Sequence, residues 1–268
     1  MQEIIERYRI RAKKSLWQNF LMDEKILDEI IQIFPLDNQN ILEIGPGFGA
    51  LTLKILHQNP KSVTLVELDD FMVEILQDRI QRKELNIEKT DFSLIHQDIL
   101  KTQIELNDYY VVANIPYYIT SPILQKFLYS QTNTPKWMII LMQKEVWERI
   151  CDTKSSILSL IVQKKCTTSE KIFVPSHAFS PPPKVDSVVL EFLPHGLYNE
   201  VEDADFLVFI KQAFSNPRKK MLNNLSNAGY QKVDILALLI QLWFGENTRA
   251  EELSIQDFVF LLKKLKNT

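Results

Sequence analysis

Cysteine, histidine and glycine are scarce in this chain: two, four and six of them in 268 residues. Cys151 and Cys166 form neither a disulfide framework nor a zinc pattern, and His57, His96, His177 and His195 are too scattered for ligand spacing. No metal is expected. No apolar run reaches the ~18 residues that a membrane span needs, and the charged N-terminus lacks the apolar centre of a signal peptide. A protein with no membrane attachment and a cytoplasmic setting is the expectation. Neither sign of charge dominates, with a formal net charge of −3, which argues against indiscriminate binding to polyanions. A composition of 46% hydrophobic and 24% charged residues excludes disorder, collagen and coiled coil. The length suits one large domain with a modest appendage, and a monomer is the default.

From residue 40 onward short apolar runs alternate with helix-like stretches. The runs are 41–44, 63–66, 92–96, 109–113 and 137–142, and the amphipathic stretches are 50–57, 71–82, 122–129 and 144–150. Strands that are apolar throughout, separated by helices, imply parallel strands covered on both faces. The fold class is α/β, a doubly wound and mostly parallel sheet. After a helical stretch at 155–163 and a run at 171–174, the prolines at 181–183 precede the β-branched run 185–192, which reads as a last strand, antiparallel to the others. Beyond Asp203 the pattern is only helical, at 206–214, 218–225, 233–242 and 255–265. The expected domains are 1–195 and a small all-helical domain over 196–268. Trp137, Trp147 and Trp243 fall on strand or helix patterns and read as core or half-buried packing.

Three of the six glycines sit in Glu43-Ile44-Gly45-Pro46-Gly47-Phe48-Gly49, between a strand and a helix. Such glycines let the backbone turn sharply and approach a ligand, and the following helix offers unpaired amides. The spacing Gly-x-Gly-x-Gly differs from the dinucleotide fingerprint, and alone it is a weak signal. Polar residues at the ends of the next strands strengthen it. Glu67 closes the second strand eighteen residues beyond Gly49, where a carboxylate can accept both ribose hydroxyls. Asp98 follows the third strand, where it can read an adenine amino group or simply cap a helix. Asn114 ends the fourth. In an open parallel sheet these ends share one crevice, so they converge on one nucleoside-shaped site.

Asn114-Ile115-Pro116-Tyr117 adds the chemistry. A side-chain amide and carbonyls held rigid by proline accept hydrogen bonds from an exocyclic amine, and Tyr117 offers a face to a planar base. Those bonds draw the amine lone pair out of conjugation and stabilise the positive charge that develops as nitrogen attacks a methyl donor. No histidine or carboxylate base is required.

With these residues the chain resembles the ribosomal RNA adenine dimethyltransferases, the KsgA/RsmA family. Gln18-Asn19-Phe20-Leu21, the glycine loop, Val66-Glu67-Leu68-Asp69, Asn114-Ile115-Pro116-Tyr117, Met142-Gln143-Lys144-Glu145-Val146 and the block from Phe179 to Ser187 fall in the family's order. The resemblance implies a Rossmann-like class I methyltransferase fold and S-adenosylmethionine as cofactor. It also implies N6,N6-dimethylation of two adjacent adenosines near the 3′ end of 16S rRNA, within the small ribosomal subunit or its precursor. Carried over by position, Asn19, Leu21, Gly45, Gly47, Glu67, Asp98 and Asn114 would bind the cofactor. Asn114, Ile115, Pro116, Tyr117 and Phe179 would form the catalytic set, with Tyr117 and Phe179 sandwiching an extruded adenine. Arg11, Lys13, Lys14, Lys184, Arg218, Lys219 and Lys220 would contact RNA, the last three from the helical domain.

The chain departs from the family at Trp17, where glycine is usual, at Tyr118 and at Glu191. Trp17 bears on the assignments of Asn19 and Leu21. Alternative readings are a 23S rRNA adenine methyltransferase of the macrolide-resistance type, a largely non-catalytic ribosome assembly factor, and a nicotinamide-dependent oxidoreductase. The Phe179 to Ser187 block with Leu193-Pro194-His195 speaks against the first, retention of Glu67, Asp98 and Asn114 against the second, and the glycine spacing against the third.

Overall fold

A computed structural model describes residues 1–13, 18–115, 119–130 and 133–266. Pro116, Tyr117, Tyr118, Lys14 and Trp17 lie outside the described residues. Packing divides the chain into two compact units, Met1–Trp147 with Thr168–Pro194, and Glu148–Thr167 with His195–Thr268.

The first unit is built on a seven-stranded sheet. Its strands are β2 (Asn40–Ile44), β3 (Ser62–Glu67), β4 (Asp91–His96), β5 (Tyr109–Asn114), β6 (Trp137–Gln143), β7 (Cys166–Val174, its first two residues in the second unit) and β9 (Ser187–Pro194), in the order β4-β3-β2-β5-β6-β9-β7. Strands β4, β3, β2, β5 and β6 run parallel, and β9 joins β6 antiparallel. The expected doubly wound sheet and its antiparallel last strand are both present. Residues of β3 are buried along its whole length, whereas edge strand β4 is largely exposed, which is why the apolar pattern is cleanest at the centre. The order reverses between β2 and β5, and the carboxyl ends of those two strands flank the crevice where such sheets take ligands.

Two features of this unit leave little trace in the sequence pattern. Helix α1 (Gln2–Tyr8) packs Ile4, Ile5 and Tyr8 against Phe48, Met72 and Ile75. The short strands β1 (Phe20–Leu21) and β8 (Phe179–Ser180) pair antiparallel, Leu21 opposite Phe179, and Met22 N–H donates to the Ala178 carbonyl at 2.8 Å. Two of the sequence blocks that carry the family resemblance are thus one ladder.

Helix α4 (Asp70–Gln81) buries Met72, Ile75, Leu76 and Arg79, one apolar stripe at helical spacing that ends in a charge. The Arg79 guanidinium donates to the carbonyls of Phe48 and Gly49 and, at 3.2 Å, to Glu84. Burial lowers its pKa against the support of Glu84. The glycine loop is therefore pinned from the helix that follows the next strand.

The second unit contains helices α7 (Ile157–Lys165), α8 (Asp203–Ala213), α9 (Met221–Asn227), α10 (Lys232–Gln241) and α11 (Ile255–Lys266). Phe206, Phe209 and Phe258 lie at its centre, all fully buried. The sequence places 148–167 in the first domain; in the structure this segment belongs to the helical unit. Hydrogen bonds give the reason: Ser155 N–H donates to the Glu251 carbonyl at 2.8 Å and its hydroxyl to Leu253 at 2.6 Å, while Lys164 and Lys165 both pair with Asp203. Trp243 is a further correction. It is 97% exposed and no part of a core, whereas Trp137 is half-buried, stacked on Phe34 and donating to Glu191 at 2.9 Å.

Replacing Arg79 by methionine, which keeps the stem and removes the guanidinium, leaves two loop carbonyls without their donor, while Glu84 keeps its pair with Arg7. Unfolding in urea is expected to show a loss of about 1–3 kcal/mol, the range for leaving buried acceptors without their hydrogen bonds. A loss within 0.5 kcal/mol of zero would show that the loop stands without the pin.

Candidate functional site

A cleft of about 1270 Å³, counted to its open mouth, lies in the first unit at the carboxyl ends of β2, β3 and β5. Asn19, Leu21, Glu43, Gly45, Gly47, Glu67, Asp98, Asn114 and Ile115 all line it. Five separate stretches of sequence thus converge: the four strand ends that the sheet order brings together and the arm at 19–21.

The loop after β2 takes a left-handed path, with φ +67° at Gly45 and +57° at Gly47. A β-carbon on Gly45 would stand 3.3 Å from the Asn114 carbonyl oxygen, and one on Gly47 would stand 3.2 Å from the Phe20 ring. Bare backbone is required at both positions, because a side chain would fill the cradle and adopt a disfavoured φ. Gly45 N–H donates to the Val66 carbonyl at 3.0 Å, and Phe20 in turn lies 5.3 Å from the Phe48 ring.

Glu67 is buried and collects three backbone amides: Gly47 on Oε2 at 3.0 Å, Leu68 on Oε1 at 2.8 Å and Asp69 on Oε1 at 2.9 Å. Burial raises its pKa above the usual carboxylate range, and the three amides pull the other way. A carboxylate offers about four lone-pair sites, so roughly one remains for a ligand hydroxyl. Asp98 Oδ1 accepts the Leu100 amide at 2.9 Å, a local turn, and its carboxylate still borders the cleft. Capping and lining are compatible roles for it. Asn114 is half-buried, and its side-chain amide has no hydrogen-bond partner among the described residues. His96 does not line the cleft; its Nε2 meets Asp70 at 2.7 Å.

Comparison with known proteins gives this arrangement its context. A family model described as ribosomal RNA adenine dimethylase matches residues 9–267. The chain belongs to that family. It is an enzyme, an rRNA adenine dimethyltransferase. Among its relatives, the ribosomal RNA small subunit methyltransferase A of Fusobacterium nucleatum is 38% identical over 94% of this chain and 97% of that one. The protein of the same description from Mycoplasma mobile is 37% identical over 94% and 98%. A dimethyladenosine transferase from Plasmodium falciparum superposes with a TM-score of 0.78 at 28% identity, over 92% of this chain and 98% of that one. The 23S rRNA methyltransferase ErmE superposes with a TM-score of 0.71 at 22% identity, covering 92% and 100%, which shows the shared fold.

Within this dimethylase several expected site residues stand elsewhere. Phe179 is 4% exposed, packed in the cluster that holds Leu21, Leu27 and Ile30, and it is not among the residues lining the cleft. Two of the cations proposed for RNA are engaged internally: Lys13 donates to Asp69 at 2.6 Å and Lys220 to Glu246 at 3.1 Å. Arg11, Lys184, Arg218 and Lys219 are exposed and carry no ion pair among the described residues.

Three residues matter here that sequence reasoning passed over. Asp69 caps α4 through the Phe71 amide at 3.0 Å and also accepts Lys13 and, at 2.7 Å, Gln18. Burial alone would raise its pKa, and these donors hold it below the usual range. The arm bearing Asn19 and Leu21 is thus tied to the residue two beyond Glu67. Arg79 holds the loop carbonyls, and its signal was a charge at the end of an apolar stripe. Glu43 is the third, a lone acid in the run Ile41-Leu42-Glu43-Ile44.

Glu43 is 2% exposed, and the Thr52 hydroxyl donates to its Oε2 at 2.7 Å. Burial pushes its pKa up to about 8, against the Thr52 bond and helped by repulsion from Glu67. At neutral pH it holds its proton. In the unfolded chain the same group ionises near the ordinary 4.5, so between that value and about 8 the folded state keeps a proton that the unfolded state releases. Its contribution to stability therefore falls as pH rises through this window. Glu43→Gln removes the titration: the variant should match wild type in urea midpoint at pH 5 and exceed it at pH 8. Parallel pH profiles for the two proteins would count against a protonated Glu43.

Proposed function

We propose that this enzyme uses S-adenosylmethionine to dimethylate N6 of two adjacent adenosines near the 3′ end of 16S rRNA, acting on the small subunit or its precursor in the cytoplasm. The observation that carries this reading is the contact of the glycine loop with the start of the Asn114 motif, 3.3 Å from a β-carbon on Gly45 to the Asn114 carbonyl. It joins a nucleoside cradle to an amine acceptor across the β2/β5 reversal. The descriptions of the relatives support the small subunit as substrate.

The residues present fit the cofactor. Gly45 and Gly47 leave bare backbone, Glu67 keeps an acceptor site for ribose, Asp98 has a carboxylate oxygen toward the adenine side, and Asn19 and Leu21 border the cleft from the arm. When bound, S-adenosylmethionine supplies an electrophilic methyl group on a sulfonium.

The remaining steps belong to the chain. The Asn114 amide oxygen accepts a hydrogen bond from the N6 amine and, with the carbonyls of Ile115 and Pro116, localises the lone pair for attack. The same oxygens stabilise the cationic amine until water takes its proton, so no side-chain base is needed. Tyr117 offers its face to the extruded base, and the cleft's apolar walls exclude water from the reacting atoms. Arg11, Lys184, Arg218 and Lys219 hold the RNA backbone. Lys13 and Lys220 would join them only by leaving their carboxylates, and Lys14 is assigned with them from its position in the sequence. No helix among the described residues is long and apolar enough to cross a membrane.

Labelled methyl transfer to unmodified small and large subunits, with mass spectrometry of the nucleosides, tests the substrate. Dimethyladenosine is expected in the small subunit only, and label confined to the large subunit would overturn the reading. In the same assay Asn114→Ala should lower turnover by at least 10²-fold, the effect of losing one donor or acceptor aimed at developing charge, with cofactor still bound.

Phe179 reaches a base only if its ring leaves the cluster around Leu21. Phe179→Ala is accordingly expected to destabilise the first unit by about 3–5 kcal/mol, as for other buried phenylalanines. Thermal unfolding checks this. An unchanged midpoint together with a selective loss of the second methylation would return Phe179 to the base sandwich.

A further inference from the structure

Helix α10 ends in a Schellman motif: Phe244 N–H donates to the Leu239 carbonyl at 2.9 Å and Trp243 N–H to Ile240 at 3.0 Å. This ending places residue 243 in the left-handed region, at φ +66°. Glycine is the usual occupant of that position, because a β-carbon there is strained and a bulky residue more so. Here it is tryptophan, and its side chain is 97% exposed. The fold gains no burial from the largest side chain it could place there, so packing does not account for the residue. The same helix exposes Val233 and Ile240, at 78% and 60%, one helical face with Trp243 at its end.

The segment that follows Trp243 is tied to a basic turn. Met221 N–H donates to the Thr248 carbonyl at 2.8 Å, Gly245 N–H to the Thr248 hydroxyl at 3.1 Å, and Lys220 pairs with Glu246. These contacts bring the turn that carries Arg218 and Lys219 against the segment that starts at Trp243. Two residues separate Trp243 from Glu246, a Cα–Cα span of at most ~11 Å. The turn itself is fixed by the buried Asn224 amide, which donates to the carbonyls of Ala213 at 2.7 Å and Asn216 at 3.0 Å, and by Lys219 N–H donating to Asn216. Arg218 and Lys219, exposed and without an ion pair among the described residues, thus sit on a turn tied to the segment that begins at an exposed indole. Backbone charge and an aromatic face on tied segments are the two parts of a site for single-stranded nucleic acid.

We propose that Trp243 is a stacking platform for an unpaired base of the RNA substrate, whose adjoining phosphates are held by Arg218 and Lys219. The proposal rests on the reading of the second unit as an RNA-holding unit and adds to it a residue, a contact type and a preference for unpaired over duplex RNA. A tryptophan face accepts any base, so the platform contributes affinity and register without sequence choice.

Binding of the full-length protein to a protein-free transcript of the 3′-terminal segment of 16S rRNA, and to intact unmethylated small subunits, tests it. Trp243→Ala is expected to bind both about tenfold more weakly, within the range for losing one base-aromatic stack, with the slope of affinity against salt unchanged. Trp243→Phe should restore most of the loss. Trp243→Gly separates function from fold: it relieves the left-handed strain, so its thermal midpoint should rise while its RNA affinity falls as in the alanine variant. Arg218→Ala and Lys219→Ala should each reduce the salt slope by nearly one. Unaltered RNA affinity in Trp243→Ala, with the salt slope still responding to the cations, would overturn the platform and leave the RNA-holding reading in place. A loss seen with intact subunits and not with the transcript would assign the surface to a protein partner instead. If neither Trp243 nor the cations affect binding, the RNA-holding reading fails and the platform with it.

Discussion

The glycine loop at 45–49 is held by opposite charges on its two kinds of backbone group. Glu67, at the end of β3, takes the Gly47 amide, while Arg79, two turns into α4, takes the carbonyls of Phe48 and Gly49. A loop with three residues in the left-handed region has no ladder or helix to satisfy its backbone. Both anchoring charges are buried, and both come from the strand and helix that follow in sequence. The cradle is thus set by the β3–α4 unit and would lose its shape if either charge were removed. Asp69 extends the circuit: it follows Glu67 closely, caps α4 and ties down the arm through Lys13 and Gln18. One corner of the sheet fixes the loop, the helix and the arm together.

This arrangement concentrates acidic groups where the proposed sulfonium cofactor would bind. Glu43, Glu67 and Asp98 all border the cleft, and with Glu43 protonated the free enzyme avoids the full repulsion of adjacent buried carboxylates. A cationic ligand changes that balance, because it favours the ionised form of any acid it approaches. Buried acid in this site is therefore a reserve of negative charge rather than a fixed one.

The sequence made the sheet legible and left its fastenings hidden, for a physical reason. Central strands β2, β3, β5 and β6 are apolar on both faces, and that pattern is local, as are the glycine loop and the proline-led strand β9. The polar ends Glu67, Asp98 and Asn114 could be placed in one crevice because sheet order dictates it. The contacts that were missed all span long separations: Arg7 to Glu84, Tyr8 to Asp78, Lys13 to Asp69 and Leu21 to Phe179. An ion pair or a two-residue ladder across such distances has no periodicity to read. Lys13 was assigned to an RNA surface for that reason, although it neutralises Asp69 of the first unit. Segment 148–167 carries a helical pattern that says nothing of which unit receives it. Trp243 was misplaced because periodicity marks the face of a helix and not the residue at which the chain turns out of it.

The same pairing limits how this enzyme can hold its RNA. Of the seven cations assigned to the substrate from the sequence, Lys13 and Lys220 already have carboxylate partners, and the chain as a whole is acidic. Diffuse attraction for phosphate is therefore weak, and each unpaired cation contributes to affinity by at most one released counterion. On the proposed reading, discrimination would come from contacts that need a particular shape: a turn fixed by Asn224, a base face at Trp243, an amine acceptor at Asn114. The turn is placed by the Asn224 side-chain amide, Trp243 by the hydrogen bonds that end α10 and Asn114 by the β5 ladder, none of them by an ion pair, so this geometry would persist at salt concentrations that screen the cations.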